Sequence, residues 1–248
     1  PAQQLVAINR RSGELMCNQQ ARWRQLGGEL RENGIAVIDS GELTGTEKNW
    51  LDSYFLDQIF PVLTPMAVDP AHPFPFMPNQ GFALALELRR AADGKMMRAL
   101  LPLPSQLPRF IRLPGNDPKN VRFLTLEDMA GLYLDRLFPQ FEVISKGHFR
   151  LIRDSEIEIM EEAEDLVRHF ESALKQRRRG TVIRLKANAD MPDDLLAFVI
   201  DELDAERSDV FSLDGLIGLA STSKLIIDER PDLKFQPFNP RFPERIRD

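Results

Sequence analysis

The sequence predicts an α+β fold, a mixed or antiparallel sheet with packed helices, preceded by a long helix. Three observations predict it. Apolar residues recur at helical spacing over the first thirty or so positions. Short β-type runs come in pairs joined by turn residues. Strands and helices interleave without the glycine fingerprint of a βαβ nucleotide fold. A length of 248 residues allows one large domain or two small ones, and 43% apolar with 28% charged residues is an ordinary globular balance with enough material for a core.

Leu5, Ile8, Leu15, Met16, Trp23, Leu26 and Leu30 recur at separations of three, four and seven, the stripe of a helix that Asn33-Gly34 stops. Ile35–Asp39 reads as a strand. Thr44 and Glu47 form a capping box opening a helix through Trp50, Leu51, Tyr54, Phe55 and Ile59, ended by Pro61. Six prolines between Pro61 and Pro78 remove backbone donors, while the Phe, Leu, Val and Met among them predict an extended loop packed on a core. Gly81–Leu88 and Met97–Leu103 are expected to pair about the turn Ala92-Asp93-Gly94. Residues 105–118 are loop-rich. Thr125 and Asp128 cap a helix through Leu126, Met129, Tyr133 and Leu137, stopped at Pro139. Phe141–Ser145 and His148–Asp154 around Lys146-Gly147 read as a β-hairpin. A charged helix is expected from about Glu161 to Arg179, then a strand over Thr181–Ala187, a helix with Pro192 at its first position, and a short strand over Asp209–Leu213. From Pro231 the chain is proline-rich and irregular.

Composition bounds the setting. A net charge of −6 argues against nucleic acid as a partner of the whole chain. No apolar run reaches the roughly 18 residues of a membrane span, and no secretory leader opens the chain, so a cytoplasmic location is expected; membrane association of a longer parent stays open. The first residue is Pro1, not Met, from which a true start farther upstream is expected. A single cysteine, Cys17, rules out an internal disulfide framework, and its neighbours Leu15 and Met16 favour a buried or half-buried thiol.

Sequence motifs for chemistry are sparse. No phosphate-binding glycine loop, zinc-protease helix or nucleophile elbow is present. His72, His148 and His169 lie far apart, without ligand spacing, so no metal site is assigned. His72 stands in the proline-rich loop with Asp69, Pro70 and Pro73, where its ring can tie the backbone together. The carboxylates between Asp154 and Asp165 are explained by the start of the charged helix, whose dipole they complement. Its basic end, Lys175, Arg177, Arg178 and Arg179, joined by Arg184 on the next strand, is the candidate contact for phosphate or polyphosphate. The competing explanation is a solvated helix terminus.

Six stretches carry a resemblance. They are WLDSYFLDQIFPVLTPMAVDPAHPFPF (Trp50 to Phe76), LPSQLPRFIRLPG (Leu103 to Gly115), FRLIRDSEIEI, LKQRRRGTVIRL, MPDDLLAFVIDEL and RPDLKFQPFNPRFPERI. Together, and in this order, they resemble the large, phosphohistidine-type bacterial polyphosphate kinases. The resemblance implies a parent enzyme that reversibly transfers the terminal phosphate of ATP to polyphosphate with magnesium. It implies that residues 1–40 end an N-terminal helical domain, residues 41–225 form a head domain similar in fold to PX domains, and residues 226–248 lead toward catalytic domains. No position matches the family's catalytic motifs, so no catalytic residue is assigned and no cofactor is expected on this piece. The expected role is a non-catalytic scaffold, with the remaining domains of the same polypeptide, a second copy of the chain and polyphosphate as partners. The alternative is a stand-alone module for phosphoanions or lipid head groups.

Overall fold

The computed structural model describes residues 2–154, 180–236 and 238, apart from 116 and 118. The expected helix from Glu161 to Arg179, including Lys175, Arg177, Arg178 and Arg179, lies outside the described residues, as does His169. Among the described residues there are two sheets and five α-helices. The helices are α1 (Ala2–Glu32), α2 (Gly45–Tyr54), α3 (Leu126–Leu132), α4 (Leu134–Leu137) and α5 (Asp193–Glu202). The strands are β1 (Ile35–Ile38), β2 (Met66–Val68), β3 (Phe82–Arg90), β4 (Met96–Pro102), β5 (Phe110–Arg112), β6 (Val121–Thr125), β7 (Phe141–Arg153), β8 (Val182–Asn188) and β9 (Val210–Leu213).

The larger sheet runs β2-β4-β3-β7-β8-β9, antiparallel except for β8 and β9, which α5 connects in parallel. The smaller runs β1-β6-β5, with β1 parallel to β6. The fold is thus the mixed α+β arrangement with a long leading helix. β3 is buried on both faces, and its side chains divide by size. Leu84, Leu86 and Leu88 enter a core shared with α2, α3, α4 and Ile38, Ile111 and Leu124 of the smaller sheet. Ala83 and Ala85 face the other way, with Phe149, Leu185 and Ala187, toward Leu195, Phe198 and Val199 of α5. Small residues on that face let the helix sit close to the strands.

Both anticipated capping residues act as such. Thr44 Oγ1 accepts from the Glu47 N–H (3.3 Å) and the Glu47 carboxylate accepts from the Thr44 N–H (2.8 Å). Thr125 Oγ1 accepts from the Asp128 N–H (3.1 Å). The helix expected to run from Thr44 to Ile59 changes pitch after Tyr54: residues Phe55–Ile59 form a π turn, and the Phe60 N–H reaches back to the Phe55 carbonyl. Pro61 has no N–H for the carbonyl four residues earlier and its ring crowds that position, so the wider turn is the relaxed exit. The next helix breaks at Tyr133.

Four expectations need correction. The hairpin about Lys146-Gly147 does not form: β7 is one continuous strand of 13 residues. Gly147 serves close packing instead, since a Cβ there would lie 2.4 Å from Met191 Cγ. The apolar stripe read along α1 is largely exposed at Leu5, Ile8, Leu15 and Leu26. The covered face of α1 is built from Ser12, Gly13, Met16, Gln20, Trp23 and Leu30, a mixed set that hydrogen-bonds as well as packs: the Gln20 side chain both donates to the Leu216 carbonyl (2.9 Å) and accepts from the Leu216 N–H (3.1 Å). Cys17 is exposed, because it points away from Met16, which is buried on the covered face. The proline-rich loop contributes β2 as an edge strand, where prolines are tolerated, but Pro70, Ala71, His72 and Pro73 are exposed rather than packed.

Gly147→Ala is expected to destabilise the chain by about 1–3 kcal/mol, because the added methyl must displace Met191 from a filled core. A melting temperature unchanged to within a degree would show that the strand does not depend on this close approach.

Candidate functional site

Register places three cations together. Arg150 on β7 pairs with Lys186 on β8, and Ile152 pairs with Arg184. Side chains alternate across a sheet. Phe149, Leu151, Leu185 and Ala187 face α5, so Arg150, Arg184 and Lys186 share the opposite face with His148. Arg184 is held by α1 and β9: its Nη2 donates to Ser12 Oγ (3.3 Å), and its guanidinium carbon lies 5.5 Å from the centre of the Phe211 ring. Its Nε is buried and has no hydrogen-bond partner.

None of these three cations forms an ion pair with a carboxylate among the described residues. Other arginines do: Arg31 with Glu42, Arg109 with Glu127, Arg112 with Glu229 and Arg122 with Glu47. Burial, followed by the charges of Arg184 and Arg150, lowers the pKa of Lys186, and burial followed by Arg109 lowers that of Arg150. Cations that are half-buried, close together and uncompensated form a site complementary to an anion rich in oxygen acceptors.

Arg109 frames this face but is itself neutralised. Its Nε donates to Glu127 (3.3 Å) and its Nη1 to the Gly218 carbonyl (3.2 Å), and its guanidinium carbon lies 4.8 Å from the centre of the Phe82 ring. The pair is nearly buried, with side-chain exposures of 12% for Arg109 and 6% for Glu127.

On the far side of Glu127 lies a polar cleft of about 570 Å³ between α1, β1, the start of α3 and the turn after β8. His148 and Asp128 line it. Burial lowers the His148 pKa to about 4, with Asp128 opposing and Arg109 assisting. Burial likewise raises the Asp128 pKa, although the Thr125 hydroxyl donates to its Oδ2 (2.6 Å). No group of three or more His, Cys, Asp or Glu suited to a metal occurs among the described residues.

Of the residues singled out in the sequence, Arg184 sits in the cation face. Lys175, Arg177, Arg178 and Arg179 lie outside the described residues. Asp69, Pro70, His72 and Pro73 form a separate exposed turn, in which Asp69 Oδ1 accepts from the N–H groups of Ala71 and His72 (both 2.8 Å) and lies 3.1 Å from His72 Nδ1. Those hydrogen bonds, from the His72 backbone first, hold the Asp69 pKa low. The sequence reading missed Arg150 and Lys186. The available signal was the alternation HFRLIR and VIRLKAN, which places basic residues at every second position of adjoining strands.

The comparisons decide the family. A family model described as the polyphosphate kinase middle domain matches residues 46–225. The chain belongs to the polyphosphate kinase family. It is 42% identical over 246 residues to a polyphosphate kinase of Erythrobacter litoralis, covering 99% of this chain and 34% of that protein. It is 38% identical over 217 residues to a polyphosphate kinase of Mycolicibacterium gilvum, covering 86% of this chain and 30% of that protein. The chain therefore spans about a third of the length of the curated polyphosphate kinases it matches. The crystal structure of polyphosphate kinase from Porphyromonas gingivalis shares the fold, with a TM-score of 0.76 at 23% identity over 97% of this chain and 35% of that one. Among the described residues, no helix is long and apolar enough to cross a membrane.

His148 gives the fold a signed pH dependence. An unfolded histidine protonates near 6.5, whereas the folded one does so near 4. The unfolded state then binds more protons between these values, so His148 contributes its full stability above pH 6.5 and loses it progressively as pH falls toward 4. The melting temperature of wild type should fall more steeply between pH 7 and pH 5 than that of His148→Gln. Parallel curves would remove the assignment.

Proposed function

We propose that the whole protein reversibly transfers the terminal phosphate of ATP to polyphosphate, and that this chain is its non-catalytic middle region, which binds the phosphate polymer along the β7–β8 face. The observation that carries the reading is the trio Arg150, Arg184 and Lys186, uncompensated by carboxylate among the described residues and with the Arg184 Nε unpartnered there. A linear polyanion offers closely spaced oxygens, so one chain can meet all three cations. The basic residues Lys175, Arg177, Arg178 and Arg179, two strands' worth of sequence after Arg150 and immediately before β8, extend the same reading. No group of three or more His, Cys, Asp or Glu suited to a metal occurs among the described residues, and no step is assigned through magnesium.

A scaffold role is supported by exposed apolar side chains at both ends of the described chain: Leu5, Val6 and Ile8 on α1, and Ile226, Phe235 and Phe238 beyond β9. In the proposed reading, other domains of the same polypeptide and a second copy cover them.

Arg184→Gln combined with Lys186→Gln removes two charge-assisted contacts, each worth about 1.5–3 kcal/mol. Binding of long-chain polyphosphate to the chain should weaken at least about tenfold and lose part of its salt dependence. Unchanged affinity across a salt titration would dismiss the face as the binding surface. The same purified chain, given ATP and magnesium, should form no polyphosphate; sustained synthesis would dismiss the non-catalytic assignment.

A further inference from the structure

A second cavity, of about 610 Å³, opens between the turn Met77–Phe82 and the loop Pro102–Leu107. We propose that it binds a nucleotide-sized organic phosphomonoester, with Arg150 holding the phosphate and the apolar walls holding the organic body. Among the described residues no carboxylate lines the cavity, although the chain as a whole carries a net charge of −6. Its apolar wall is made by Met77, Pro102, Leu103, Leu107 and Leu126. The polar lining is confined to neutral amides and hydroxyls, notably Gln80, Ser105, Gln106 and Ser221, and two arginines. Arg109 is already neutralised by Glu127, so the uncompensated charge belongs to Arg150.

Arg150 is also fixed in place. Its Nη2 donates to Gln80 Oε1 (3.2 Å). Gln80 adopts φ 62°, a left-handed conformation that residues with side chains seldom occupy. The turn that holds it is closed by a hydrogen bond from the Gly81 N–H to the Pro78 carbonyl (2.8 Å). On the other side the guanidinium rests against Gly218, where a Cβ would lie 2.2 Å from Arg150 Nη1; Gly218 itself has φ 77°. A strained residue and a glycine thus aim one uncompensated cation into a mostly apolar cavity. The combination of apolar walls and a few converging polar groups is that of a small-molecule site. It fits a phosphate carried on an organic body better than a bare phosphate, which would leave the walls unused.

The proposal does not depend on the polyphosphate reading: the two share Arg150, but Arg184 and Lys186 belong to the polyphosphate face alone and the apolar walls to the cavity alone. Titration calorimetry on the 248-residue chain with adenosine 5′-monophosphate, adenosine and orthophosphate tests it. The monophosphate should bind at least about tenfold tighter than either of the others, the discrimination expected when charge and apolar contact both contribute. Arg150→Gln should weaken it by a similar factor. Gln106→Glu, an exposed change in the cavity lining that leaves the core untouched, should weaken it too by placing a carboxylate in the same cavity as the phosphate. Arg184→Gln with Lys186→Gln, whose side chains do not line the cavity, should weaken it far less than Arg150→Gln does. Equal affinity for the monophosphate and orthophosphate, or indifference to both Arg150→Gln and Gln106→Glu, would overturn the proposal.

Discussion

The buried pair Arg109–Glu127 is the interaction on which the arrangement of the two sheets depends. Arg109 stands just before β5 of the smaller sheet, Glu127 opens α3, the Gly218 carbonyl belongs to the segment after β9, and Phe82 begins β3 of the larger sheet. One guanidinium therefore joins four parts of the chain that are distant in sequence. Taking both charges out of water is costly, and the hydrogen bonds to Glu127 and Gly218 offset that cost only while the geometry holds. Removing either partner alone leaves an uncompensated buried charge, so the pair acts as a constraint on how the layers meet as much as a source of stability. It also decides which arginine can serve a ligand. Arg109 is neutralised where it stands, and Arg150, beside it, is not.

The larger sheet turns this constraint into two different surfaces. On the α5 side, Ala83, Ala85, Ala187 and Gly147 keep the surface shallow, and Met191 and Phe198 fill the space above it. On the other side, the leucines of β3 make a dry core with α2 and α3, while the same face becomes cationic at β7 and β8. The change from apolar to charged happens within one sheet face because α2 and α3 cover only its β3–β4 half. At the β8–β9 edge α1 meets the sheet with Ser12, which accepts from Arg184, and Gly13, which packs on Phe211, rather than with a leucine stripe. A helix that approaches through small and polar residues leaves room for half-buried cations beneath it.

Much of this was legible from the sequence where the signal is local. Both capping motifs, the β3–β4 pairing, the strand β8 and the stop at Asn33-Gly34 follow from residues within a few positions of one another. Failures came where a residue answers to a distant neighbour. Lys146-Gly147 has turn chemistry, but Gly147 answers to Met191, more than forty positions on, and the strand continues through it. The apolar residues of α1 keep helical spacing yet mostly lie outside the contact face, because periodicity reveals a helix but not which side is covered within this chain. Arg184 was found through its nearness to a run of arginines. Arg150 and Lys186 were not, because only β7–β8 register brings them to it.

The placement of these cations is informative because the chain is acidic overall. In a chain with more carboxylates than basic groups, random placement would pair most half-buried cations, as happens for Arg109 and Arg122. Arg150, Arg184 and Lys186 have no carboxylate partner among the described residues, at a cost in desolvation and mutual repulsion that lowers the pKa values of Arg150 and Lys186. Burial strengthens the attraction of such a group for an anion, since the field is less screened than at an open surface. The net negative charge elsewhere repels polyanions from the rest of the surface, so attraction and repulsion together favour one face. In this domain of the polyphosphate kinase family the distribution sets one cationic face against an otherwise acidic chain.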